Sequence, residues 1–393
     1  MPGLSNLTTF WQTVKEIDLE PLRREALSGV RMAVVGAPSS GRKTLVKQLR
    51  RDPAHPEMEE IDTPVLVLDL EAADLVPNAD LIVLLLDTRQ RDFTREAELS
   101  RQWADHGKRV LVLINKFDPS APTYVLKGWI DWSTRRVVDG SVLDVKFLHG
   151  KFALAVIDLM PDKLLTLGRY FPLLRVPIAR HIINDTCFTN AAYSLSTGLA
   201  EIVPVLTIPL TVTDMIVLTK NQAFMAFKLG LTIGFSTQWQ DYLAEFGGVL
   251  GSGFIWRQVA RMLIGLVPLW GILPKVAVAY AGTFVVGNAI LQWYLTGRHV
   301  SKVQMRQLYA RSFGRGQEVA RSLIARFHLP RLPRVRGLHL PRLTSRRKQR
   351  ALPASPAVKA CPNCGRTNSI DAAYCQYCGR ELGEIKLAPP PPG

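Results

Sequence analysis

A run of apolar residues, Val110 to Ile114, leads straight into Asn115-Lys116-Phe117-Asp118. A carboxylate at the mouth of a strand, as Asp118 would be, can accept two hydrogen bonds from the N–H groups on guanine's base-pairing edge; adenine offers no such pair. Upstream, the apolar run Met32 to Val35 ends in Gly36-Ala37-Pro38-Ser39-Ser40-Gly41-Arg42-Lys43-Thr44, and a helical stretch from Leu45 to Arg50 follows. Strand, glycine loop and helix start come in the order a phosphate cradle needs. Glycines let backbone N–H groups close on phosphate oxygens, and the helix N-terminus adds partial positive charge. Far downstream, Cys361, Cys364, Cys375 and Cys378 form two Cys-x-x-Cys pairs, each followed by glycine, with ten residues between the pairs. That spacing suits a tetrahedral thiolate cage for a structural zinc ion, with no position open for a catalytic water. A disulfide framework fits less well, because the rest of the chain has cytosolic character. Only Cys187 is left over, in a helical stretch where it reads as buried filler.

The elements that must position these residues read as an α/β unit. Pro64 to Asp69 and Asp80 to Asp87 are apolar strands ending in an acid, Asp92 to Gly107 is a helix, and Val145 to Met160 is a helix closed by Pro161. Ligands of open α/β sheets gather beyond the carboxyl ends of the strands, where both the glycine loop and Asn115 fall.

On these residues the segment 28–163 resembles the P-loop domain of Era/TrmE-like GTPases. Asn115-Lys116-Phe117-Asp118 matches their guanine-reading NKxD, in which the Lys stem lies along the base and the Asn ties the loop to the phosphate loop. Gly36, Pro38, Gly41 and Thr44 keep the register of GxPNVGKST, but Arg42 stands for the phosphate lysine and Lys43 for the magnesium-binding hydroxyl; sliding the frame by one makes Lys43-Thr44 the Lys-Thr pair but loses the glycine before it. Arginine is a bulkier, planar donor and no simple equivalent of that lysine. The resemblance makes Asp69 the magnesium-side acid, yet Leu70-Glu71-Ala72 follows it where the family's DxxG has its glycine. Asp52 to Thr63 is too short for an ordinary switch I with its threonine and edge strand, and Ser141-Val142 takes the place of the loop that offers guanine a backbone N–H. GTP or GDP is therefore the expected ligand, magnesium is doubtful, and hydrolysis is expected to be very slow or absent.

The net charge is +16, but residues 298–350 hold fifteen Lys/Arg against Glu318 alone and so supply +14 of it. Just before this stretch, Val276 to Gly297 is twenty-two residues without a charge, long enough to cross a bilayer as a helix. Ile202 to Thr219 is a poorer candidate, interrupted by Pro204, Pro209 and Asp214. Residues 164–298 also resemble the membrane-associated helical domain of YcjF-like bacterial proteins, on Val203-Pro204-Val205-Leu206, Asn221-Gln222-Ala223-Phe224-Met225 and Lys275-Val276-Ala277-Val278-Ala279-Tyr280. That resemblance implies a bacterial cell membrane, cytoplasmic face. Ser301 to Arg326 reads as a basic amphipathic helix on anionic lipid, followed by a proline-broken basic linker without aromatics for stacking on bases. No signal peptide is expected, since Phe10, Trp11 and Val14 fit a short amphipathic segment.

The expected organisation is thus an N-terminal amphipathic segment (1–27), an α/β P-loop GTPase-like domain (28–163), an α-helical membrane-associated domain (164–298), a basic helix and linker (299–357), a small zinc ribbon (358–384) and a disordered tail (385–393). Its expected role is a membrane-associated GTP-binding regulator or scaffold that meets a protein partner through the ribbon. Two alternatives stand beside it: a nucleotide-free pseudo-GTPase adaptor and a membrane tether for nucleic acid, the last disfavoured by the missing aromatics.

Overall fold

The computed structural model describes residues 18–90, 92–115, 136–200, 210–238, 272–298, 300–326, 358–362 and 367–369. A short helix, α1 (Glu20–Leu27), precedes the first strand. The apolar runs become parallel strands: β1 (Met32–Gly36), β2 (Val65–Leu68), β3 (Leu81–Asp87), β4 (Arg109–Asn115) and β5 (Arg136–Gly140). Their order is β2-β1-β3-β4-β5, every pairing parallel. Strands covered on both faces must be apolar nearly throughout, and every residue of β3 is buried.

On one face of the sheet, Met32, Val34, Leu81, Val83, Leu85, Leu111 and Leu113 share a core with Leu45 and Leu49 of α2 (Arg42–Arg50). On the other, Ala33, Val35, Ile82, Leu84 and Val112 meet Val76, from the turn Leu70–Asn78, and Leu99 and Trp103 of α3 (Thr94–Asp105). The chain places β2 on one side of β1 and β3 on the other, so the order reverses at β1. The crevice beyond Gly36 is where such a sheet takes a ligand.

The helix expected from Val145 to Met160 is not regular. A turn, Val145–Phe147, passes through a wider π-type turn, Leu148–Phe152, before α4 (Ala153–Leu159). Gly150, a poor helix former, sits in the wide turn.

The core does not divide at the expected 163/164 boundary. Helices α1, α5 (Leu164–Tyr170), α6 (Pro172–Ala200), α7 (Leu210–Ile233), α8 (Ile272–Thr296) and α9 (Lys302–Arg326) share one continuous buried cluster with the sheet. The 20–27 part of the expected N-terminal segment is one of these core elements. Ala26 is fully buried, and the Leu165 N–H donates to the Glu25 carboxylate at 3.0 Å. Polar contacts tie the layers as well, with Arg175 3.5 Å from Asp52 and His55 Nε2 2.9 Å from the Leu295 carbonyl.

Among the described residues, one helical stretch, Lys275–Thr296 in α8, is long and apolar enough to cross a membrane, and 67% of its apolar part is buried inside the protein. A helix apolar all round belongs equally in the centre of a bundle. Thr283 in its middle takes hydrogen bonds from Asn190 (2.8 Å) and Gln222 (3.4 Å) of the flanking helices. The second expected span is placed differently: α7 starts at Leu210 and runs to Ile233, carrying Lys220 and Lys228, while 202–209 lie outside the described residues. α9 also differs from expectation. Its apolar residues Met305, Ala320 and Leu323 are buried within the protein, and Gly316 allows close approach: a Cβ there would fall 2.8 Å from the Ala277 carbonyl of α8.

Two short antiparallel strands, β6 (Val358–Ala360) and β7 (Thr367–Ser369), complete the described structure. The expected amphipathic segment before residue 18, the basic linker from 327 to 357, the rest of the ribbon and the tail at 385–393 lie outside the described residues.

Candidate nucleotide site

Asn115 is the last residue of β4 and is 1% exposed. Its Nδ2 donates to the Ser40 carbonyl at 2.9 Å, and its Oδ1 accepts from the Val142 N–H at 3.1 Å. One buried amide therefore holds the glycine loop and the loop after β5 together. Gly41 makes room for it. At φ +102° the residue is in the left-handed region, and a Cβ would fall 2.5 Å from Asn115 Nδ2. Gly41 is also the N-cap of α2, whose first turn has no side-chain cap. Ser39, at φ 64°, bends the loop just before it. Ser141 supports the other loop, its hydroxyl accepting from the Leu143 N–H at 3.2 Å. Gly36, Gly41, Asn115, Ser141 and Val142 are thus brought to one end of the sheet. Lys116 and Asp118, the residues expected to contact the base, lie outside the described residues.

At the other end of the loop, Arg42 and Asp69 pair directly. The Arg42 side chain is 12% exposed and that of Asp69 50%. Lys43 is exposed, and Thr44 is half-buried in the first turn of α2. After Asp69 the backbone goes straight into the 3-10 turn Leu70–Asn78. These residues do not fit a magnesium ion: the carboxylate is engaged by a guanidinium, and a lysine stands where the resemblance asks for a hydroxyl.

A second ion pair stands at the same end of the sheet. Asp87 closes β3 opposite Asn115 and is bonded by Arg89 at 2.7 Å. The signal was present, an acid ending an apolar strand with arginine two residues on, but nothing in the spacing fixed the pairing.

Of the four expected zinc ligands, Cys361 is described and is buried at 1% exposure. It directly follows β6, and the paired strands β6 and β7 lie before and after the first Cys-x-x-Cys in the chain. Cys364, Cys375 and Cys378 lie outside the described residues. Cys187 is fully buried in α6, and burial pushes its thiol well above the ordinary range, consistent with a structural role.

No protein-family model matches the chain, and no curated protein matches it.

Proposed function

We propose that the protein binds guanine nucleotide at the end of the parallel sheet and works as a regulator or scaffold at an anionic membrane surface. The observation that carries the nucleotide reading is the Asn115 amide, bonded at once to Ser40 and Val142. The residues that would read the base, Lys116 to Asp118, follow it directly in the chain. GTP turnover is very slow or absent, because Ala72 stands where the switch glycine is needed and Lys43 replaces the hydroxyl. Identification of nucleotide co-purifying with the full chain, followed by titration, tests the reading. Guanine nucleotide is expected, and equal or no affinity for GDP and ADP sinks it. The full chain is needed because the sheet shares its core with the helices α5 to α9. The Arg42–Asp69 pair favours a second reading, a nucleotide-free adaptor, and the same experiment separates the two.

Membrane contact is assigned to the exposed face of α9. Arg306, Arg311, Arg321 and Arg326 are exposed there, against Glu318 as the one acid of the helix. Since α9 lies against α8, a crossing by α8 would draw arginines toward hydrocarbon at about 2.5–3.5 kcal/mol each. Surface attachment avoids that cost. Binding to vesicles containing phosphatidylglycerol should weaken as salt rises, and salt-independent retention in the membrane fraction would contradict a surface mode.

The tail is read as a zinc-held contact module for a protein partner. Chelation should unfold residues 358–384 and leave the rest intact, because metal binding supplies on the order of 10 kcal/mol in small zinc modules. A tail that holds no zinc by elemental analysis yet keeps its fold in chelator would refute this.

A further inference from the structure

We propose that guanine nucleotide binds here without magnesium, and that Asp69 is an internal competitor which the phosphates displace from Arg42. The inference rests on the guanine-nucleotide reading above. Arg42 is the first residue of α2, so its side chain starts where an anion would meet the helix N-terminus. That side chain is largely covered and bonds Asp69. Lys43 follows it, exposed, at the position expected to bear a metal-binding hydroxyl. Arg42 and Lys43, adjacent in the first turn of α2, repel a divalent cation and attract a di- or triphosphate. The side chains thereby supply the positive charge that a metal ion would otherwise bring.

Asp69 is half exposed, so water takes over its hydrogen bonds when Arg42 turns to the phosphates, and the exchange costs little. Charge matching then sets the ligand preference. A diphosphate already carries more negative charge than the two cations offset, and a third phosphate adds charge with no further cation to meet it, so GDP binds at least as tightly as GTP.

Calorimetric titration of the full chain with GDP, with magnesium or with EDTA, tests this. The two affinities are expected to agree. Asp69→Asn should tighten GDP binding about fivefold, the size of a partly exposed ion pair. Arg42→Ala should weaken it about tenfold or more, as befits loss of a charge-assisted contact to phosphate. Loss of binding in EDTA, or weaker or unchanged binding by Asp69→Asn, would overturn the inference and leave the guanine reading standing. Binding by Asp69→Asn alone would also overturn it, since the phosphates would then fail to displace the competitor. Absence of guanine binding by both the native chain and Asp69→Asn would overturn the inference and the reading together.

Discussion

The two ends of the glycine loop are built on opposite principles. At the Asn115 end, a buried neutral amide satisfies a carbonyl and an N–H from two different loops, with Gly41 leaving the space. At the Arg42 end, charged side chains satisfy one another, and one of them is half open to water. A buried hydrogen-bonded brace is costly to break, whereas an exposed ion pair exchanges partners readily. The Asn115 end is therefore fixed architecture, and the Arg42 end is the adjustable part.

Asn115→Ala attacks the fixed end and has the largest expected effect. It strands a buried carbonyl and a buried N–H, for about 2–4 kcal/mol of stability and roughly a hundredfold of GDP affinity. Urea unfolding and titration measure both, and a variant of native stability would break the comparison.

A second test uses pH on the irregular helix that follows the Val142 loop. Burial first, and the charge of Arg180 second, push His149 down from 6.5 to about 4. A base depressed in the folded state stabilises above its unfolded value and loses that contribution as pH falls toward the folded one. Acidification from pH 7 to pH 5 should cost about 2 kcal/mol, and His149→Leu should remove that dependence. An unchanged pH profile in the variant would assign the acid sensitivity elsewhere.

Asp118→Ala should abolish a guanine-over-adenine preference of about tenfold or more while leaving stability unchanged. Competition between GDP and ADP reads it, and a retained preference would move base recognition away from this corner. The smallest effect belongs to the adjustable end: Asp69→Ala should change stability by less than about 1 kcal/mol. A larger loss by thermal unfolding would show that this pair is structural and erase the contrast.

Much of the α/β layer was legible because its signals are local. Runs such as Leu81 to Leu86 have no polar position, which only a strand covered on both faces tolerates. The glycine loop and Asn115 were visible by type and spacing for the same reason. Pairings between side chains were not. Neither Arg42 with Asp69 nor Asp87 with Arg89 follows from sequence separation, because side-chain partners are set by where strands end in space. The helical region misled in one respect: the apolar stripe of α9 fits a lipid surface as well as it fits α8, and hydropathy does not separate them.

By itself the sequence determined the strand–glycine loop–helix unit, the Asn115 corner and the placement of most of the net positive charge after residue 297, since each depends on residue type and short-range periodicity. Tertiary structure decided the strand order, the brace through Asn115, the pairing of Arg42 with Asp69, and the burial of α8 and of the apolar face of α9 within one core. Those features depend on which groups meet across the fold, and meeting is a property of packing rather than of any local run of residues.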